Sequence, residues 1–167
     1  LTAKLVKQCL KNGADAAEVY LEKSRRLSLT IRDGEIEKVK ETDSRGIGFR
    51  VFVKGKMGFA YSNDLSQTGL DKTIASAVTF ASHITPDKNN LLPSEKGMTE
   101  IKNLFDPAIA SIPMDKKIKM TMELEKLAMK DERITKSNGS YYSERENWVF
   151  ISNSNGLQKD FKTTDTS

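Results

Sequence analysis

The chain has 167 residues, 37% hydrophobic and 30% charged, with a formal net charge of +4. That length suits one globular domain able to bury about two-thirds of its unfolded surface, and the composition excludes a disordered or fibrous chain. The basic balance does not single out nucleic acid: Glu35, Lys38, Lys40 and Glu41 typify an alternation of signs, whereas a phosphate-tracking surface concentrates one.

No apolar run is long enough for a membrane span, and no basic-then-apolar leader opens the chain. A single cysteine cannot form an internal disulfide, which fits a cytoplasmic location. In chain order, Leu1, Leu5, Cys9 and Leu10 recur at helical spacing, and Gly13 follows as a helix stop. Val19 and Leu21 then alternate with polar residues, as do Leu27, Leu29 and Ile31. Asp33-Gly34 marks a hairpin. The return strand from Glu35 to Glu41 places Ile36 and Val39 an odd distance apart, so a bulge or a loosely specified edge is expected.

A second hairpin joins Ile47, Phe49, Val51 and Val53 to Met57, Phe59 and Tyr61 through Lys54-Gly55. Leu27, Leu29, Ile31, Phe49, Val51 and Phe59 are expected in the buried layer. Gly46, Gly48 and Gly58 are placed on the opposite face, bare enough for a helix or another chain to approach. Asp64 or Ser66 caps a helix burying Leu70, Ile74, Ala77, Val78 and Ala81.

Residues 85–113 read as an irregular connecting segment, punctuated by Pro86, Pro93, Gly97, Pro107 and Pro113. A third helix runs from about Met114 to Asp131. Its stripe of Met120, Leu124, Leu127 and Ala128, widened by Ile118, Met122 and Met129, is assigned to the core in preference to a partner surface. Strands follow at Ile134–Lys136, Ser140–Glu144, Trp148–Asn153 and Leu157–Thr163, the last two joined by Ser154-Asn155-Gly156. Helices separated from hairpins give an α+β class: a mostly antiparallel mixed sheet built from hairpins, with three helices packed against it.

The residues that carry hydrolytic chemistry are scarce. His83 is the only histidine, placed at a helix end where it complements the dipole, and Cys9 reads as a core thiol. Asp33, Glu35 and Glu37 could line one hairpin face around calcium, but an exposed solvated face is the simpler reading. Gly46-x-Gly48 lacks the third glycine and following helix of a dinucleotide site. Asn138-Gly139-Ser140 matches a glycosylation acceptor without a secretory signal, and Asn153 to Gly156 is explained by turn chemistry. No catalytic, cofactor-binding or metal-binding residue is assigned.

Six segments stand out in order: Gly13 to Val19, Asp33 to Glu37, Gly46-Ile47-Gly48, Gly58 to Ser66, Asp131 to Ile134 and Ser152 to Gly156. Together they resemble the TldD/PmbA family of zinc-dependent peptidases, also called the modulator of DNA gyrase family. Asp64-Leu65-Ser66, Thr85-Pro86-Asp87, Leu104 to Pro107, and Thr163-Thr164 with Ser167 are more similar to the PmbA (TldE) branch. The resemblance implies that residues 1–167 form an amino-terminal domain and that the carboxy-terminal domain lies beyond it. It also implies that any HExxxH zinc helix lies downstream, in the full-length protein or in a TldD-like partner. No position here matches a zinc ligand. The expected setting is a dimer, with itself or with a TldD-like subunit, that hydrolyses peptides. The alternatives are a non-enzymatic module binding peptide by strand addition at an edge such as Glu35 to Glu41, and a gyrase-associated regulator.

Overall fold

Two left-handed turns organise the first half of the chain. In the computed structural model, which describes residues 1–94 and 101–167, β1 (Ala16–Arg32) and β2 (Glu35–Val53) meet at Asp33-Gly34, with φ of 54° and 75°. β2 and β3 (Lys56–Ser62) meet at Lys54-Gly55, with φ of 52° and 74°. Positive φ at both central residues is the turn geometry whose twist matches the flanking strands, so both hairpins form as expected. Gly97, expected as punctuation, lies outside the described residues.

With β4 (Ser140–Asn153) and β5 (Gln158–Thr166), these strands make one five-stranded antiparallel sheet in the order β3-β2-β1-β4-β5. The longer helices are α1 (Thr2–Lys11), α2 (Gln67–Ser82) and α4 (Met114–Ala128). A short α3 (Ala108–Ser111) forms inside the segment expected to be irregular. The class is α+β, as the sequence indicated.

The strands are fewer and longer than expected. Val19 to Leu21 and Leu27 to Ile31 belong to one 17-residue strand, and both halves of β2 to one of 19. Ser140 to Glu144 and Trp148 to Asn153 likewise fuse into β4. Their polar middles read as breaks, but strand pairing runs through backbone N–H and C=O groups and tolerates polar side chains on both faces. Ile134–Lys136 forms no strand, and Ile134 is exposed. β2 shows the expected edge: its pairing with β3 stops at Ile47 opposite Ser62, so Glu35 to Gly46 has no strand on that side among the described residues.

The chain divides into two compact units that share the long strands. The first comprises Leu1–Lys23, Arg45–Glu100 and Trp148–Phe161. Its core joins Leu5, Val6 and Cys9 of α1 to Val19, Ile47, Phe49 and Val51 of the sheet and Leu70, Ile74, Ala77 and Ala81 of α2. Ser66 caps α2, its hydroxyl accepting from the Gly69 N–H at 3.1 Å, and Val78 packs at the margin of this core. Leu10, by contrast, is only partly covered, at 38% exposure.

One face assignment is reversed. A two-residue turn pairs Val53 with Lys56, which sets Val51 opposite Gly58 and Phe49 opposite Ala60. Directly opposed residues share a face, so Gly58 belongs with the core and Phe59, 52% exposed, with the other side. Gly58 meets α2 closely: a Cβ there would fall 1.9 Å from the Ala77 carbonyl oxygen. The expected helix approach is real, but it occurs at this glycine alone. Gly48 lies under the Phe59 ring instead, and Gly46 beside the Asn63 side chain.

The second unit comprises Ser24–Ser44, Ile101–Asn147 and Lys162–Ser167. It buries Leu27, Leu29 and Ile31 of β1, as expected. Its other buried residues are polar: Lys117, Thr121 and Glu125 of α4, and Ser140.

Candidate functional site

The residues that could have carried chemistry do not converge. His83 is the C-cap of α2, its backbone N–H donating to the Phe80 carbonyl. Cys9 is buried on α1, and burial pushes its thiol up to about 12. Asp33 sits in the turn, while Glu37 pairs with Arg32 at 3.0 Å on a solvated surface. Asn153 organises the final turn, its Oδ1 accepting from the N–H groups of Asn155 at 2.9 Å and Leu157 at 3.1 Å. Among the described residues no three of His, Cys, Asp and Glu come together as a metal-binding group, so the residues present do not fit a zinc site.

What the structure does gather is a set of buried polar contacts. In the first unit, Arg50 donates to Glu18 Oε1 at 2.7 Å, and Glu18 is only 8% exposed. In the second, three contacts line the inner side of α4. Lys117 Nζ donates to Glu144 Oε1 at 2.8 Å, and Tyr142 donates to Glu144 Oε2 at 2.7 Å. Burial, then the bonded carboxylate, holds the Tyr142 hydroxyl far above its usual range. Ser140 donates to the Thr121 carbonyl at 2.7 Å. Glu125 accepts from the turn N–H groups of Asp33 at 3.2 Å and Gly34 at 2.9 Å, so its carboxyl stays below the ordinary range.

These contacts turn α4 over. Met120, Leu124 and Leu127, assigned from sequence to the core, are 47%, 56% and 59% exposed. The rule that an apolar stripe faces inward loses here to a salt bridge and a capped turn on the adjoining face. A sequence signal existed, since Lys117, Thr121 and Glu125 recur every four residues, but it competed with a more hydrophobic stripe.

Comparison with known proteins gives this arrangement a family. Residues 17–81 match the family model described as PmbA/TldA metallopeptidase domain 1. The chain is 29% identical over 158 residues to the metalloprotease PmbA homologue of Haemophilus influenzae, covering 93% of this chain and 35% of that protein. It is 26% identical to metalloprotease PmbA of Escherichia coli O157:H7, covering 90% and 34%. A crystal structure from Bacteroides thetaiotaomicron, assigned as a modulator of DNA gyrase, superimposes with a TM-score of 0.87 at 28% identity over 98% of this chain and 38% of that one. Residues 17–81 match the first domain of the PmbA/TldD family, and the chain as a whole is similar to that family's amino-terminal region.

The part it shares is the family's amino-terminal region, and the chain spans about a third of the length of the curated relatives it matches. TldE from Thermococcus kodakarensis shows the same fold, with a TM-score of 0.82 at 17% identity over 98% of this chain and 37% of that one. No helix among the described residues is long and apolar enough to cross a membrane.

Proposed function

We propose that residues 1–167 are the amino-terminal domain of a PmbA (TldE)-like subunit of a TldD/PmbA-type metallopeptidase that degrades or matures peptides. The observation that carries this reading is the family match at residues 17–81 together with a superposition that extends over 98% of the chain. The domain shapes the assembly and supplies contacts, while zinc chemistry resides in a later segment or in a TldD-like partner. Zinc bound there would polarise a scissile carbonyl and activate water. The cytoplasm is the proposed location.

The test is a metal and peptidase assay of the chain by itself. The chain alone should retain no stoichiometric zinc and cleave no unstructured peptide, as read by elemental analysis and mass spectrometry. About one tightly held zinc per chain, or cleavage by the chain alone, would overturn the reading. The rival strand-addition module is favoured by the open side of β2 from Glu35 to Gly46. It predicts peptide binding that a proline at Val39 abolishes. A gyrase-associated regulator would show DNA binding that falls steeply with salt.

A further inference from the structure

Helix α4 holds a hydrophobic seam in solvent while its adjoining face is committed to polar contacts. An amphipathic helix free to roll would bury Met120, Leu124 and Leu127, which recur at i, i+4 and i+7. Rolling would break the Lys117–Glu144 pair, the Ser140 hydrogen bond to the Thr121 carbonyl, and the Glu125 contacts to the Asp33-Gly34 turn. The outward seam is therefore held in place. Met120 and Leu124 also line a shallow groove with Tyr141, Tyr142 and Thr166, which gives the seam a wall on one side.

The surroundings of the seam are basic. Lys116, Lys119 and Lys126 are exposed on the helix and Lys130 just beyond it, against exposed Asp115 and Glu123 on the helix and Glu132 beyond it. None of these four lysines forms an ion pair among the described residues. A second copy of α4 would bring the same excess of lysine against itself, so the charge selects a partner of opposite sign. We propose that the Met120–Leu124–Leu127 seam docks an amphipathic helix of a partner protein, one with an apolar stripe and acidic flanks. Recognition follows the helix-in-groove mode, with methionine adapting to the knobs it receives.

A direct test uses two fluorescein-labelled synthetic 16-residue helices with the same leucine stripe, one flanked by glutamates and the other by lysines. Fluorescence anisotropy with the 167-residue chain should show the acidic peptide binding about tenfold more tightly or better, with the gap narrowing as salt rises. Leu124→Asp should abolish binding, and Lys119→Glu with Lys126→Glu should remove the preference. Circular dichroism should show native folding for each variant; if Leu124→Asp fails to fold, Leu127→Glu serves the same purpose. Equal binding of both peptides, or binding unchanged by the folded seam variant, would overturn the proposal. So would a dimer of the chain that the seam variant dissociates, or phosphatidylserine vesicles engaging the seam while the acidic peptide does not.

Discussion

Phe49 and Phe59 show how much rests on which side of a strand a residue occupies. Phe49 is fully buried, so Phe49→Ala should destabilise the chain by about 3–5 kcal/mol in urea unfolding. Phe59 is half exposed, and its truncation should cost under about 1 kcal/mol. Both assignments follow from the Lys54-Gly55 turn, whose length fixes the register. That parity is readable in the sequence, although it sets the aromatic Phe59 on the opposite face from Phe49. Glu125 offers a second residue-scale test. Hydrogen bonds from the Gly34 N–H, the Ser137 hydroxyl and the Asp33 N–H hold its carboxyl low in the folded state. A depressed folded pKa contributes stability above the unfolded value of about 4.3, and that contribution is lost as pH falls through the folded value. Glu125→Gln should therefore lower the urea midpoint at pH 7 and flatten its decline towards pH 3. A decline as steep as that of the unmodified chain would show that Glu125 contributes nothing to acid sensitivity.

At the scale of elements, turns and caps were legible because each depends on one or two residues. Asp33-Gly34, Lys54-Gly55, Gly13 and the Ser66 cap all form as local chemistry requires. The long strands were not legible, because a stretch such as Lys38 to Arg45 carries no apolar alternation yet still pairs through its backbone. Nor was the facing of α4, which depends on Glu144, Ser140 and the Asp33-Gly34 turn, all distant in sequence. Lys117 is the sharpest probe of that facing. With both partners nearly buried, Lys117→Ala leaves Glu144 without its cation and should cost about 3–5 kcal/mol, despite removing a charged residue from a helix. Leu124→Ser, on the outward side, should change stability by about 0.5 kcal/mol or less. Comparable losses at both sites, read by thermal unfolding, would contradict the orientation described.

For the molecule as a whole, exposed apolar residues and an open strand edge suggest a surface made to be covered. Ile36 and Val39 on the open half of β2 stand in solvent. Contiguous apolar exposure and unpaired strand edges favour association. The chain is expected to self-associate or to be only marginally soluble, which sedimentation velocity over a concentration series will show. Because lysines surround α4, Leu124→Asp should leave that self-association intact. A chain that stays monomeric and fully soluble at high concentration, unfolding in one cooperative step, would refute the expectation. The fold class and family were readable because hairpin signals and short motifs are spread along the chain. The polar interior of the second unit was not, because it is assembled from residues far apart in sequence.

Cys9 gives this architecture a clock of its own. It is the only thiol in the chain, fully buried on α1, and burial raises its pKa to about 12. Thiol-specific reagents attack the thiolate, so the closed protein is protected both by lack of access and by protonation. Labelling must wait for α1 to lift from the sheet. With excess reagent, the labelling rate becomes the opening rate of the first unit; with little reagent, it becomes the opening equilibrium. No cysteine has to be added or removed to time how often this core comes apart.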